Sequence, residues 1–525
     1  MLNVSAGVSG GSTVVSAHAD LPRRRVSERN ADVVVVGSGS AGAVVVRRLV
    51  ASGARVLLLE AGGRDEHPAI HDPGRVHELW LSDVDWAYET VPQVHAAGRR
   101  LAWPRGRVLG GSSCLNAMIW VRGAPEDFDT WAYLGADGWS WEDVRPVYET
   151  VERREPGGEG MVSLLTTFQP DAIHVSIAEA AEECGIPLNP DYNSGRQDGV
   201  SFMQYSIEDG VRHSTAAAYI RPVEGNPNLE LVTGATARRL LFDGTRCVGV
   251  EWSQDGRIER ARAEQTVLCG GTIGSAQLLL LSGVGPADQL RSLGIDVVAN
   301  LPGVGENLHD HLLSPVIFSA EREVGAPSAG LPACQTHLFW RSRPGLAVPD
   351  IQPIHFMVPM YEAWMEGPEN GFTLMGGIVR PASRGVLRLT GPAPEDPVAL
   401  DPNILACEAD VESLVAAVDL CRRIGAATAL REWGATERYP GPSVNTPDAM
   451  RGYVRETAIT YHHQVGTCKM GTDAAAVVDA RLRVYGIDGL RVADASIMPM
   501  VTTGNTNAPT IMIGERAAGF LLADV

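Results

Sequence analysis

Residues 32–60 read DVVVVGSGSAGAVVVRRLVASGARVLLLE, and their pattern predicts the fold class of the chain. The run of four valines near the start of this stretch is fully apolar, which is typical of a strand buried in a parallel sheet. The pattern G-x-G-x-x-G follows directly at residues 37–42, and an apolar helical stretch occupies 43–51. A second apolar run, 55–59, ends at an acidic residue. This order of strand, glycine turn, helix and strand predicts an α/β fold with a parallel sheet.

The glycines of this stretch have the spacing that a bound dinucleotide requires. Gly37 permits a tight turn after the strand, and Gly39 lets the backbone approach a pyrophosphate at the helix N-terminus. Gly42 lets the helix pack closely on the strand. Glu60, at the end of the second strand, is placed to accept hydrogen bonds from ribose hydroxyls. The sequence therefore predicts a nucleotide site, although the motif by itself does not separate FAD from NAD.

Composition and charge exclude several classes of protein. The chain has 525 residues, too many for one small core, so two or three domains are expected. Its net charge of -19 argues against non-specific binding of nucleic acid, which needs a basic surface. We expect no membrane span, since no apolar run approaches the roughly 20 residues that one needs. Scattered cysteines and an N-terminus unlike a signal peptide predict a cytoplasmic protein. The oligomeric state is left open.

Several further segments resemble the glucose–methanol–choline (GMC) oxidoreductases. Residues 106–123, GRVLGGSSCLNAMIWVRG, resemble the first signature of that family. Residues 271–285, GTIGSAQLLLLSGVG, resemble the second signature, with Ala276 where the family usually has Pro or Ser. The segment 302–311, PGVGENLHDH, is a further match. The resemblance extends over about residues 31–525 in the order of the family.

The resemblance implies a fold and a cofactor. We expect an α/β protein with a Rossmann-like FAD-binding domain, built from a parallel sheet with helices. An α+β substrate domain with a mostly antiparallel sheet is expected beside it. The implied division of the chain is a flexible tail at 1–30, a discontinuous FAD-binding domain at 31–160, 205–310 and 455–525, a connecting or lid segment at 161–204, and a substrate-binding domain at 311–454.

The implied cofactor, FAD, predicts a set of contact residues. Asp494 at a strand end could also serve as a helix cap, and the resemblance favours a cofactor role. In members that attach the flavin covalently, a His precedes the Asn of the first signature, and this chain has Leu115 there, so non-covalent FAD is expected. The predicted contacts are Gly37, Gly39, Ser40, Gly42, Glu60, Ala61, Arg107, Gly110, Gly111, Ser112, Asn116, Ala237, Gly271, Asp494, Ala495, Asn507 and Thr510.

The segment 461–471, YHHQVGTCKMG, resembles the catalytic block of the family. The catalytic His of the family precedes Gly-Thr-Cys by three residues, which assigns His463 as the base that removes the hydroxyl proton. Imidazole suits this task because its ordinary pKa is close to neutrality. The second catalytic position of the family is a His or an Asn later in the chain, and its spacing from His463 predicts Asn507. Asn505 is interpreted as a turn residue.

Four other histidines, His462, His355, His309 and His311, are candidates for the substrate pocket or for a metal site. His462 is expected to shape the pocket. His355 lies in the alternating segment 351–357, IQPIHFM, and is predicted either to line the pocket or to be a buried core residue. His309 and His311 form a closely spaced pair, but no carboxylate or further His is arranged around them, so no metal is expected.

The resemblance implies oxidation of an alcohol to an aldehyde or ketone, by proton abstraction and hydride transfer to flavin N5. Members that act on choline have a Glu two residues after the His of the Asp-His block, where this chain has Leu313. The missing carboxylate argues against choline itself. The acidic composition favours a polar, cationic primary alcohol such as an amino sugar or an aminoglycoside precursor, which would indicate antibiotic biosynthesis. A choline-type, aryl or alkyl alcohol remains open.

The electron acceptor and the reaction class have alternatives. Oxygen or another carrier could reoxidise the flavin, and the sequence does not decide between them. Some proteins with this fold split cyanohydrins and use flavin only structurally, so a hydroxynitrile lyase is the remote alternative.

Overall fold

The computed structural model describes residues 28–155 and 157–524, and the structural statements below concern these residues. Most of the tail expected at 1–30 therefore lies outside the described residues. Its last residues begin the first strand, Glu28–Val36, which starts before the valine run. The strand is longer than expected because its neighbour is long, so that Glu28 pairs with Arg260. Arg29 also forms an ion pair of 2.7 Å with Glu230 at this end.

The glycine motif belongs to a seven-stranded sheet, which we call the nucleotide sheet. Five of its strands are parallel to their neighbours, and the last two turn back in antiparallel hairpins. Its strands, in spatial order, are Leu229–Val232, Val56–Leu59, Glu28–Val36, Arg257–Leu268, Arg246–Gln254 and Thr236–Asp243, with Leu490–Val492 paired to Arg257–Leu268.

The local pattern read from the sequence explains how this sheet begins. Val56–Leu59 is buried along its whole length, as expected for a strand covered on both faces. The first helix is Gly42–Ala51, and its valines are buried against the sheet. Burial of these aliphatic side chains supplies the apolar contact that holds the helix on the strands. The predicted α/β class with a Rossmann-like domain is confirmed.

A second seven-stranded sheet, which we call the second sheet, is antiparallel throughout. The long helix Glu408–Gly425 packs on it so closely that a Cβ at Gly425 would lie 2.0 Å from the ring of Phe318. Its strands, in spatial order, are Thr436–Tyr439, Leu312–Ser319, Gly371–Ile378, Ile354–Phe356, Thr336–Phe339 and Gly199–Phe202, with Ile459–Thr460 paired to Leu312–Ser319.

Shorter elements connect and flank the two sheets. The remaining α-helices are Pro68–His71, Pro125–Tyr133, Trp141–Val151, Ala172–Glu183, Gly271–Leu281, Ala287–Ser292, Thr428–Arg431, Pro447–Thr457 and Asn507–Ala523. Short 3₁₀ helices are Pro73–Glu78, Gly111–Cys114, Arg221–Val223 and Ala495–Ile497, and Ala216–Ile220 is a π-helical turn. Two-stranded ribbons pair Tyr88–Glu89 with Ala102–Trp103, Glu152–Arg153 with Val162–Ser163, Ile207–Glu208 with Val211–Arg212, Val284–Gly285 with Ala299–Asn300, and Val386–Leu389 with Val398–Asp401.

The second sheet recruits strands from outside the predicted substrate domain. Gly199–Phe202, from the segment expected to connect or cover the domains, forms its edge. Ile459–Thr460 pairs with Leu312–Ser319 just before the predicted catalytic block. The second sheet therefore positions that block directly. Across the part of the chain that the structure describes, no helix is long and apolar enough to cross a bilayer.

Candidate active site

A cavity of about 1390 Å³ lies between the two sheets. Its wall includes Gly37 and Glu60 from the nucleotide sheet, and Leu313 and Ile354 from the second sheet. His463 lies in the same wall. The cavity therefore joins the predicted nucleotide site to the predicted catalytic block in one continuous space.

Three glycines at the turn and beside it, Gly37, Gly42 and Gly111, have no room for a side chain of their own. Gly37 has a φ of +98°, and a Cβ there would lie 2.4 Å from the carbonyl oxygen of Cys269. A Cβ at Gly42 would lie 2.0 Å from the carbonyl oxygen of Gly37, which explains the close packing of helix on strand. A Cβ at Gly111 would lie 2.7 Å from the Cα of Gly39. Main-chain segments therefore approach one another closely at this end of the cavity. Such an exposed backbone is what a bound pyrophosphate requires.

Glu60 is placed as the nucleotide motif predicts. Its carboxylate accepts hydrogen bonds from the main-chain N–H of Ser38 at 3.0 Å and from that of Gly62 at 2.8 Å. The Ser38 hydroxyl donates a third, at 2.6 Å. Burial raises the pKa of Glu60, and these hydrogen bonds oppose that shift. The carboxylate is therefore held in one orientation in the cavity wall, with acceptor capacity left for ribose hydroxyls.

Most predicted cofactor contacts lie in the wall of the cavity, and two do not. Gly42 lies against Gly37, and the main-chain N–H of Gly110 donates to the hydroxyl of Ser38 at 3.1 Å. These two glycines shape the turns around the site and do not line it. The predicted residues in the wall are Gly37, Gly39, Ser40, Glu60, Ala61, Arg107, Gly111, Ser112, Asn116, Ala237, Gly271, Asp494, Ala495, Asn507 and Thr510.

Asp494 has both of the roles that the sequence left open. Its side chain accepts from the main-chain N–H of Ser496 and so caps the short turn Ala495–Ile497. The same carboxylate accepts from the main-chain N–H of Gly271 at 2.9 Å and from the hydroxyl of Ser275 at 2.6 Å. Asp494 thereby ties the helix that begins at Gly271 to the cavity wall.

His463 is hydrogen-bonded at both ring nitrogens. Its Nε2 accepts from Nδ2 of Asn505 at 3.1 Å, and its Nδ1 lies 3.0 Å from Nδ1 of His311. Because Nε2 is the acceptor, the proton of the neutral ring is on Nδ1 and is donated to His311. The main-chain N–H of His463 donates to Asp310 at 2.8 Å. The ring therefore presents an unprotonated nitrogen in the cavity wall.

The electrostatic surroundings keep this imidazole neutral. Burial lowers the pKa of His463 well below the usual 6.5, and the nearby His311, His462 and Arg105 lower it further. Burial raises the pKa of the Asp310 carboxyl to about 6. A neutral ring can accept a proton, which is the state that a general base requires.

The structure places Asn505, and not Asn507, beside His463. Asn507 is the first residue of the last helix, and its Oδ1 accepts from the hydroxyl of Ser40 at 2.7 Å. It thus joins the nucleotide motif, while Asn505 in the preceding loop contacts the imidazole. Both asparagines line the cavity, so the catalytic role predicted for Asn507 stays a prediction. Asn505, interpreted from the sequence as a turn residue, also contacts the imidazole.

The two further pocket histidines differ in position. His462 lines the cavity with a φ of +67°, and its ring centroid lies 4.9 Å from that of Trp80. His355 is fully buried and faces away from the cavity, with Nδ1 at 3.0 Å from the hydroxyl of Thr336. Its neighbours Ile354 and Phe356 line the cavity, because successive side chains of a strand point to opposite faces. The core interpretation of His355 is the correct one.

The second sheet gives the cavity a largely apolar wall. The residues from this sheet and its neighbours that line the cavity are Leu313, Ala333, Cys334, Ile354, Phe356, Val358, Met360, Met375, Ile459, Thr460 and Tyr461. Beside His463 the polar Arg105, His462 and Gln464 also line it. Five acidic residues line the cavity, Glu60, Glu89, Glu395, Asp396 and Asp494, and none of these is hydrogen-bonded to His463 or to Asn505 in the described part of the chain.

The histidine pair in the Asp-His block has no metal-binding geometry. His309 Nδ1 lies 2.6 Å from the carbonyl oxygen of Asn307, and its Nε2 accepts from the main-chain N–H of Val501 at 3.0 Å. Residues 28–155 and 157–524 contain no cluster of His, Cys, Asp or Glu that could hold a metal ion. His311 instead lies within hydrogen-bonding distance of His463 through its Nδ1 atom. The sequence pattern did not predict this contact.

Comparison with known proteins agrees with this geometry. The chain matches the N-terminal model of the GMC oxidoreductases over residues 31–313 and the C-terminal model over residues 381–514. It is 40% identical over 529 residues to mitochondrial choline dehydrogenase of Mus musculus, covering 93% of this chain and 89% of the relative. It is 36% identical over 533 residues to an alcohol dehydrogenase (acceptor) of Pseudomonas putida, covering 94% and 95%.

A solved structure shows the same fold. Pyridoxine 4-oxidase from Mesorbium loti superposes with a TM-score of 0.88 at 34% identity, covering 93% of this chain and 99% of that one. The glycine cradle, the fixed carboxylate of Glu60 and the joined cavity fit the cofactor of such enzymes, FAD. The chain therefore belongs to the GMC oxidoreductases, FAD-dependent enzymes that act on alcohols.

Proposed function

We propose that this enzyme oxidises a neutral primary alcohol with an apolar body to the aldehyde, with His463 as the base and Asn507 as the hydrogen-bond donor to the reacting oxygen. The observation that carries the proposal is that Nε2 of His463 is an acceptor in the same cavity wall as Asn507, whose Oδ1 is occupied by the Ser40 hydroxyl so that Nδ2 is left to donate. One atom accepts a proton and the other donates a hydrogen bond, and an alcohol oxygen needs both.

The chemistry of the chain's own residues follows from this pair. Nε2 of His463 accepts the hydroxyl proton, and the resulting positive charge is shared with His311 through the Nδ1 hydrogen bond. Nδ2 of Asn507, whose Oδ1 accepts from the Ser40 hydroxyl, donates to the oxygen while negative charge develops on it. FAD, when bound, supplies the redox chemistry by accepting the hydride of the carbinol carbon. The apolar wall excludes water from the reacting carbon.

The lining of the cavity supports a neutral substrate. Leu313 stands where choline-acting members have a carboxylate, and Ile354, Phe356 and Met375 extend the apolar surface. A cationic amino sugar, which the acidic composition favoured, would leave its ammonium unpaired against this surface, at a high desolvation cost. The similarity to pyridoxine 4-oxidase, named for an aromatic alcohol, supports the same substrate class.

A choline-type alcohol is the second candidate. The observation in its favour is the 40% identity to a choline dehydrogenase. Trp80, Phe356 and Tyr461 in the wall are aromatic and could face a quaternary ammonium through cation–π contacts. Since Leu313 supplies no countercharge, we rank this candidate below a neutral alcohol.

Anaerobic mixing tests the proposal. The FAD-loaded protein is mixed with benzyl alcohol, pyridoxine, hexanol, choline and an aminoglycoside, and loss of oxidised-flavin absorbance is followed by stopped flow. We expect neutral aryl or alkyl alcohols to reduce the flavin fastest. A fully loaded protein that none of them reduces would refute the assignment, and cyanide release from mandelonitrile without flavin reduction would identify a lyase. Peroxide measured per turnover in air then separates an oxidase from a dehydrogenase.

A further inference from the structure

Charged side chains hold the peptide unit between His462 and His463 from both sides. The carbonyl oxygen of His462 accepts from Nη2 of Arg105 at 2.7 Å. The N–H of the same peptide, which belongs to His463, donates to Oδ1 of Asp310 at 2.8 Å. Arg105 lies 357 residues before His462, and Asp310 lies 153 residues before His463. Two distant parts of the chain therefore fix this peptide with charge-assisted hydrogen bonds.

The backbone at His462 needs such support. Its φ of +67° lies in the left-handed region, which residues with a Cβ rarely adopt. A conformation of this kind persists only where the surrounding structure holds it. The peptide that follows His462 sets the direction of the Cα–Cβ bond of His463. The aim of the imidazole therefore depends on how firmly that peptide is held.

Asp310 also binds the block on either side of this peptide. Its Oδ2 accepts from the hydroxyl of Thr460 and from Nε2 of Gln464, the latter at 2.9 Å. Burial raises the pKa of Asp310 to about 6, and these hydrogen bonds, the one from His463 and the nearby Arg105 oppose the rise. Asp310 is 3% exposed and is not among the cavity-lining residues of the described chain. It can therefore affect the reaction only through the residues that it binds.

We propose that Arg105 and Asp310 are positioning residues that clamp the peptide between His462 and His463 and thereby aim Nε2 of the base at the substrate hydroxyl. This inference rests on the proposed role of His463 as the base. A cation at the carbonyl oxygen and an anion at the N–H both match the dipole of the peptide. The guanidinium keeps its charge at any working pH.

Removal of either side of the clamp should slow the chemical step. Asp310→Ala removes the acceptor oxygens, and Arg105→Met keeps an apolar stem and removes the donor. We expect each to lower the limiting rate of flavin reduction about 10–100-fold at full FAD loading, because a small displacement of a reacting group costs that much. For Asp310→Ala the substrate Kd, taken from the concentration dependence of the rate, should change less than about threefold, since Asp310 does not line the cavity.

A double-mutant cycle with His463→Ala separates positioning from a direct effect. In that background each clamp variant should cost less than about threefold, since no imidazole is left to aim. Equal losses in the two backgrounds would show that Arg105 and Asp310 act on the cofactor, the substrate or the fold, and would overturn the proposal. If Asp310→Ala does not fold, Arg105→Met and its cycle decide.

A conservative variant and a matched control complete the test. Asp310→Asn keeps an acceptor for the N–H of His463, so a loss as large as that of Asp310→Ala would contradict the clamp. Asp410 is also 3% exposed, accepts from the main-chain N–H groups of Ala382 and Ser383 at 2.7 and 2.8 Å, and does not line the cavity. Asp410→Ala should therefore lower stability and leave the rate of the loaded protein unchanged; a loss equal to that of Asp310→Ala would overturn the proposal.

The variants also separate this inference from the proposed function. If His463→Ala alone keeps full activity, the assignment of the base fails and the clamp fails with it. If His463→Ala loses activity and both clamp variants keep theirs, only the positioning role of Arg105 and Asp310 is refuted.

Discussion

Nε2 of His463 lies 3.1 Å from Nδ2 of Asn505. The histidine follows the short strand Ile459–Thr460 of the second sheet, and the asparagine precedes the last helix, Asn507–Ala523. Two loops with different supports thus place an acceptor and a donor side by side in the cavity wall. The arrangement depends on both sheets. The loop with His463 follows a strand of the second sheet, and the loop with Asn505 leads into the last helix, which contacts the nucleotide motif through Asn507 and Ser40.

Replacing the base should abolish most turnover without loss of cofactor. We expect His463→Ala to lower the rate of flavin reduction roughly 10²–10⁴-fold, the usual contribution of a general base. FAD absorbance per protein should stay unchanged. His462→Ala is the neighbouring control and should cost much less, because the His462 side chain only lines the cavity. Similar losses in the two variants would argue against His463 as the base.

The two asparagines should have separable effects. Asn507→Ala should lower flavin reduction about 10²–10³-fold at full FAD loading, as expected for loss of a donor to a developing oxyanion. It also breaks the hydrogen bond from Ser40 in the nucleotide motif, so some loss of FAD retention is expected. Asn505→Ala removes the hydrogen bond to Nε2 of His463 and should lower the rate less, with normal FAD content. Both are measured as FAD per protein after gel filtration and as the reduction rate at full loading. The assignment of Asn507 fails if Asn505→Ala has the larger rate defect at full loading.

Activity should decrease through protonation of His463 only below pH 6.5. Burial and the nearby His311, His462 and Arg105 lower the pKa of His463 below 6.5, so the ring stays neutral on acidification to that point and is protonated only below it. The kcat/KM of a slow substrate should therefore show no loss from this group between pH 8 and 6.5. Asp310, with a pKa of about 6, titrates nearby, so the profile of Asp310→Asn separates the two groups. A limb above pH 6.5 in both proteins would contradict the neutral ring.

Leu313 should control the charge of the substrate. Leu313→Glu introduces a carboxylate into the apolar wall, and we expect kcat/KM for choline to rise at least about tenfold relative to Leu313→Gln, with a loss for neutral alcohols. The glutamine variant controls for size and polarity. Lower thermal stability is also expected, because an unpaired carboxylate is buried. A choline preference already present in the unchanged protein would favour the second candidate function.

FAD should leave the denatured protein. Leu115 lines the cavity and its aliphatic side chain cannot form the bond that a histidine at this position makes in some relatives. Acid precipitation should therefore release all flavin absorbance into the supernatant, and the pellet should show none under ultraviolet light. Leu115→His tests whether the position is within bonding reach. Flavin that stays with the pellet of the unchanged protein would show a different attachment.

The sequence by itself predicted those features that one short, contiguous segment specifies. Residues 32–60 specify strand, turn, helix and strand through spacing and side-chain volume, and the observed Gly42–Ala51 and Val56–Leu59 agree with that reading. The order of signatures identified the family, the cofactor and His463, since each motif is contiguous. These features depend on local backbone geometry, which neighbours in sequence dictate.

Tertiary structure decided which residues meet. Asn505 lies in the loop and Asn507 begins the last helix, and this difference separates the one that contacts His463 from the one that contacts Ser40. The strand Ile354–Phe356 is buried on both faces, so alternation alone does not reveal which face borders the cavity, and His355 proved to face away from it. Local sequence determines what each segment becomes, whereas the convergence of side chains distant in the chain depends on how two sheets pack together.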